Sequence, residues 1–197
     1  MNLETWRCHL RARLYEFLRR PDKAMAEYRT VLELDPSSAR ATRALAFLLA
    51  SRGHYAEAEP CFHAALRLEP QRATTWFNLG FMHDKQREPA KAIEAFREAV
   101  RLKPSLDRAW YGLGLSATRL ERYDEATQAF EHAVQIDPLN GHAWYQLGMA
   151  YHHRHNPDKV RGIIEHLNRF ERHHARRLII DAQRVDLMHL VADLKSF

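Results

Sequence analysis

Strand punctuation is missing from this chain. No run of alternating Val, Ile and Thr is bounded by Asn-Gly or Asp-Gly turns, which speaks against sheet structure. Glycine (7) and proline (8) are scarce in 197 residues, so long disordered linkers are not expected. Cysteine occurs only at Cys8 and Cys61, without a paired pattern. The two read as reduced, small apolar residues of an intracellular protein and not as a disulfide framework. No apolar run approaches membrane-spanning length. The N-terminal stretch MNLETWRCHLRARLYEFLRR carries a charge every two or three residues and has no apolar core of signal-peptide length. A cytoplasmic location is the expectation if the sequence is the whole chain, with no membrane partner.

Charge of one sign is also in short supply. The net +5 is the small remainder of 30 basic against 25 acidic residues, interleaved along the chain. Such a balance excludes little and favours nucleic acid only weakly. Sequence motifs for catalysis are missing as well: there is no G-x-G-x-x-G, no phosphate-binding loop and no G-x-S-x-G. Glu94, Glu98 and Glu125 fall on expected solvent faces. The reading is therefore not an enzyme, with no cofactor, and a chain of this length can bury a core without metal or disulfide help.

What is present is a period. Pro36, Pro70, Pro104 and Pro138 fall 34 residues apart, and Trp76, Trp110 and Trp144 keep the same step. So do Leu79, Leu113 and Leu147; Gly80, Gly114 and Gly148; Ala24, Ala58, Ala92 and Ala126; and Tyr28, Phe62, Phe96 and Phe130. Each repeat reads as two helices, the first with W-x-x-L-G and the second with A-x-x-x-F-x-x-A, whose spacings put these residues on one face. A glycine inside a helix costs about 1 kcal/mol relative to Ala, so its recurrence implies that a neighbouring helix approaches there. The prolines after LELD, RLE, RLK and QID end the second helices. Ser37, Ser38, Ser105 and Asp107 are candidate caps for the helices that follow. Pro60 is tolerable only if it lies in a first turn.

These residues resemble the tetratricopeptide repeat family, a 34-residue helix–turn–helix with W, L-G, Y, A, F, A and P at set places. The resemblance covers roughly residues 5 to 174. It departs from the pattern at Cys8 and Arg11-Ala12 in the first repeat, at Thr42 and Leu45-Ala46 in the second, and at Val160, Ile164, Leu167 and Arg172 in the fifth. The fold expected is an all-α, right-handed superhelical solenoid of antiparallel helix pairs. Residues 1–174 form the array, with repeats near 5–38, 39–72, 73–106, 107–140 and 141–174. Residues 175–197 form an amphipathic C-terminal helix carrying Leu178, Ala182, Val185, Leu187, Leu190, Val191 and Leu194. That helix either caps the last repeat or makes a homodimer.

The resemblance further implies a concave face lined by the first helix of each repeat. Its outward positions include Arg40, Arg43, Phe47, Phe77, Asn78, Phe81, Arg108, Tyr111 and Tyr145, with Trp6, His9, Leu10 and Arg13 from the first repeat. Aromatic and arginine anchors are what protein interfaces favour. The expected function is a scaffold that binds a partner peptide or protein of apolar and acidic character; the alternative is a self-associating platform. Some family members hold a carboxylate with a Lys-Asn-Asn-Lys-Arg set. The matching positions here are Arg43, Phe47, Asn78, Arg108 and Gly112, and two of them cannot donate. His152, His153 and His155 resemble a metal tract but lack supporting ligand spacing, so no metal site is expected. The arginine-rich end (Arg169, Arg172, Arg176, Arg177, Arg184) is broken by Glu171 and Asp181, and no nucleic-acid partner is expected.

Overall fold

The computed structural model describes residues 3–192. Among them the chain is built from helices alone: α1 (Leu3–Phe17), α2 (Pro21–Leu34), α3 (Ala39–Ser51), α4 (Tyr55–Leu68), α5 (Ala73–Lys85), α6 (Pro89–Leu102), α7 (Asp107–Arg119), α8 (Tyr123–Ile136), α9 (Gly141–His153), α10 (Pro157–Leu167), α11 (Arg172–Asp181) and a 3-10 helix (Val185–Val191). The helices fall into two compact lobes divided between Arg87 and Glu88. In the first lobe α1 pairs with α2 and α3 with α4, α2 packs on α3, and α5 packs on both α4 and α3. In the second, α6, α7, α8, α9 and α10 pack in succession, and α11 lies against both α9 and α10.

The helix ends follow from the prolines. α2, α4, α6 and α8 stop two residues before Pro36, Pro70, Pro104 and Pro138. The residues just before these prolines have ψ between 73° and 86°, because the ring excludes them from the α region. Within each repeat the turn from first to second helix passes through a left-handed residue. Arg19, Gly53, Arg87, Glu121 and His155 all have φ between 54° and 80°, at the same step of 34. Only one of them is glycine, so residue type did not announce this conformation. Pro21, Pro89 and Pro157 then occupy the first helical position, where a missing N–H costs nothing.

The core is the large–small pairing that the period implied. Phe62, Phe96 and Phe130 are fully buried, as are Ala58, Ala92 and Ala126. A Cβ on Gly114 would sit 2.5 Å from the Phe130 ring, and one on Gly148 would sit 2.4 Å from Leu178. The three repeating tryptophans have a different task. Each is half-buried, and its indole N–H donates to the carbonyl of the proline six residues earlier: Trp76 to Pro70 at 3.0 Å, Trp110 to Pro104 at 2.8 Å and Trp144 to Pro138 at 2.9 Å. Tryptophan and proline thus form one device that pins the inter-repeat turn to the helix after it.

Several expectations need correction. Asn140 and Asn156 are the side-chain caps, accepting from the N–H groups of Ala143 and Lys159. Ser38 occupies its cap position without capping, and its hydroxyl turns to His9 instead. Ser37 bonds Asp35, and Asp107 is already inside α7. Pro60 lies beyond the first turn of α4, whose first residue is Tyr55, so Ala56 loses its helical donor. The C-terminal segment is not one helix: α11 ends at Asp181, Gln183 is left-handed with φ 55°, and a 3-10 helix follows. Leu178, Ala182, Leu187 and Val191 are buried, whereas Val185 is exposed; Leu194 lies outside the described residues. In the fifth repeat Val160, Ile164 and Leu167 fill the core positions.

Candidate functional site

The residues expected to line the face lie on the first helices, and packing decides which of them stay open. In the first lobe α3 presents Arg40, Arg43 and Phe47, and α5 presents Phe77, Asn78 and Phe81. Phe47 and Phe81 are 52% and 50% exposed. Phe77 is half-buried and stacks on Phe81 with ring centroids 6.5 Å apart, and the Lys85 ammonium lies 5.1 Å from the Phe81 ring. A large aromatic ring left this open loses water contact only if something covers it. Arg40 is exposed and Asn78 half-buried. Arg43 is half-buried and ion-paired with Glu69, so a guest carboxylate would have to share it.

The same lobe holds a hollow of about 250 Å3 lined by Trp6, His9, Leu10, Arg13, Ser38 and Arg40. Trp6 and Leu10 supply an apolar wall; Arg13 and Arg40 supply positive charge. His9 sits between them, its Nε2 3.3 Å from the Ser38 hydroxyl and its buried Nδ1 without a partner among the described residues. Burial, and then the charge of Arg40, hold the His9 imidazole below its usual pKa. Ser38 was legible only as a cap; its place beside His9 depends on α1 and α3 being neighbours.

In the second lobe the expected residues separate. Arg108 is exposed on α7. Tyr111 is half-buried against Phe130, with ring centroids 5.8 Å apart. Its hydroxyl pKa is raised by burial, against a hydrogen bond with Gln146 that lowers it. Tyr145 is only 8% exposed. Its hydroxyl donates to Asp181, and the Arg177 guanidinium lies 4.6 Å over its ring. It is therefore an attachment point for α11 and not an open wall position, because α11 occupies the side of α9 that sequence reasoning left free. Beside it, His174 contacts both Glu171 and His142 at 3.2 Å.

Other candidates resolve simply. His153 stacks on Tyr123 at 4.5 Å, and His152 and His155 line a hollow of about 430 Å3 with Arg184. Among the described residues no group of three His, Cys, Asp or Glu side chains is placed to hold a metal ion. A larger hollow of about 640 Å3 lies beside Trp110, but Arg97 and Glu125, which line it, already pair at 2.7 Å. Among the described residues no helix is long and apolar enough to cross a membrane.

Solved structures share this architecture. A crystal structure of MamA protein aligns with a TM-score of 0.79 at 21% identity, covering 95% of this chain and 98% of that one. The PilF protein of Pseudomonas aeruginosa aligns at 0.76 and 20% identity, covering 96% and 87%. YrrB, described as a tetratricopeptide repeat protein with an unusual peptide-binding site, aligns at 0.76 and 25% identity, covering 88% and 89%. No curated protein matches the sequence. Models of the tetratricopeptide repeat match residues 7–38, 48–107, 83–141 and 117–178. With matches over most of its length, and with helix pairs recurring at the repeat's own period, the chain belongs to the tetratricopeptide repeat family, whose fold serves as a protein–protein interaction scaffold.

Proposed function

We propose that the wall formed by the first helices of the first lobe, α1, α3 and α5, receives a partner peptide or protein segment of apolar and acidic character. The observation that carries this reading is the pair of half-exposed rings, Phe47 and Phe81, on the neighbouring helices α3 and α5. The Trp6–Leu10 wall with Arg13 and Arg40 adds an apolar surface beside two cations in the same lobe, suited to a side chain and a carboxylate presented together. The peptide-binding site ascribed to YrrB supports the class of function. A double variant, Phe47→Ala with Phe81→Ala, tests it. Both rings are open to solvent, so helicity and thermal stability should stay near the parent's. Affinity capture of partners from the native cell should weaken at least tenfold. Undiminished capture would remove the wall from consideration.

The self-association reading is weaker. Of the four apolar residues of α11, Ala175, Leu178 and Ile179 are buried within this chain and Ile180 is exposed, so a dimer through the buried face would first have to displace three of them. A mass that rises with concentration would favour it.

A further inference from the structure

α1 has two apolar faces, and only one is buried among the described residues. Thr5, Cys8 and Ala12 point inward and are buried. Nearly opposite them, Leu3, Leu10, Leu14 and Phe17 are exposed, with Arg7 in line between Leu3 and Leu10. The spacing of this outer stripe is four, three, four and three, the pattern of a helix that packs along another helix. The position of Leu14 makes the point. It is 53% exposed, whereas its equivalents one and two repeats on, Leu48 and Met82, are 8% and 1% exposed.

The charge pattern says which helix fits. At the place of Arg7 the later repeats carry Ala41, Thr75, Ala109 and Ala143, all buried. An arginine cannot take that close-packed role, so the stripe is not built for another helix pair of the same kind. A second copy fits no better. It brings a stripe with no carboxylate to meet Arg7, and burying that charge unpaired is strongly unfavourable. Arg7 has no ion pair among the described residues, while Arg11 is engaged by Glu27 and Glu16 accepts from Tyr28. Arg7 and Arg13 are thus the cations α1 has to offer.

We propose that the outer stripe of α1 docks an amphipathic helix of a partner protein, with Leu-type residues against Leu3, Leu10, Leu14 and Phe17 and an Asp or Glu seated on Arg7. This surface meets the proposed wall at Leu10, which also lines the hollow with Trp6, Arg13 and Arg40, but it includes neither Phe47 nor Phe81. The probe is a labelled synthetic helix with leucines at heptad a and d positions, one Glu replacing a core leucine, and Glu on both flanks. Its comparator has Lys for every Glu. Fluorescence anisotropy should give at least tenfold tighter binding of the Glu peptide. Leu14→Glu should lose that binding with helicity unchanged, Arg7→Glu should reverse the preference, and Phe47→Ala with Phe81→Ala should leave it intact. Equal binding of the two peptides, binding of neither, or binding that survives Leu14→Glu would overturn the proposal. So would a dimer of this protein that Leu14→Glu dissociates, since the occupant would then be a second copy.

Discussion

At the scale of single residues, the glycines separate two physical effects. Gly114 sits inside α7 with the buried Phe130 ring where its Cβ would be, 2.5 Å away. Gly162 sits inside α10 with no heavy atom within 4 Å of the same position. Replacing either by Ala gains about 1 kcal/mol of helix propensity. At Gly114 the overpacking cost of about 1–3 kcal/mol opposes that gain, and the ring, closed in on all sides, has nowhere to go. Gly114→Ala should therefore lower the unfolding free energy, and Gly162→Ala should raise it by up to about 1 kcal/mol. Urea titration of the two variants beside the parent checks both signs.

Among the elements, α11 falls outside the repeat and packs against both α9 and α10. Leu178 is fully buried over Gly148, Ala175 and Ile179 are buried beside it, and Tyr145, Asp181 and Arg177 lock the polar edge. It covers an apolar surface of α9 and α10 that would otherwise face water. Truncating a fully buried leucine costs about 2–5 kcal/mol. Leu178→Ala should show that loss by thermal or urea unfolding, and hydrogen exchange should localise it to α9–α11 first. Full protection of α11 in the variant would mean that its polar contacts with α9 suffice to hold it.

The response of the whole molecule to pH sums groups scattered over both lobes. Burial is the first cause holding His9, His152 and His166 below the usual imidazole pKa; Arg40, His153 with His155, and Arg169 add to it respectively. The unfolded chain takes up these protons near pH 6.5 and the folded chain resists them. The stability they contribute is thus complete above about 6.5 and is lost as the pH falls through and below it. At the other end, burial and a hydrogen bond to Glu131 push the Tyr151 hydroxyl up to about 12, and Tyr28, Tyr111 and Tyr145 are also raised. Unfolded phenols ionise near 10, so stability falls again from about pH 10 toward 12. The urea midpoint should be flat between about pH 7.5 and 9 and lower at 5.5 and at 11. A midpoint that rises toward pH 5.5 would contradict the histidine assignment.

Sequence alone determined the period, the helix ends at the four prolines, the Phe–Ala–Gly core and the family, because each rests on contacts within one repeat or between adjacent ones. Every repeat states those contacts anew, and repetition makes them legible. It left hidden whatever depends on which surfaces meet. The left-handed turns at Arg19, Arg87, Glu121 and His155 carry no glycine to mark them. The turn of Ser38 toward His9 needs α1 beside α3. The burial of Tyr145 needs α11 to bend back over α9. Tertiary packing decided these, because whether a side chain is open is settled by the helix laid beside it, and a repeating sequence reads the same where a helix is covered as where it is not.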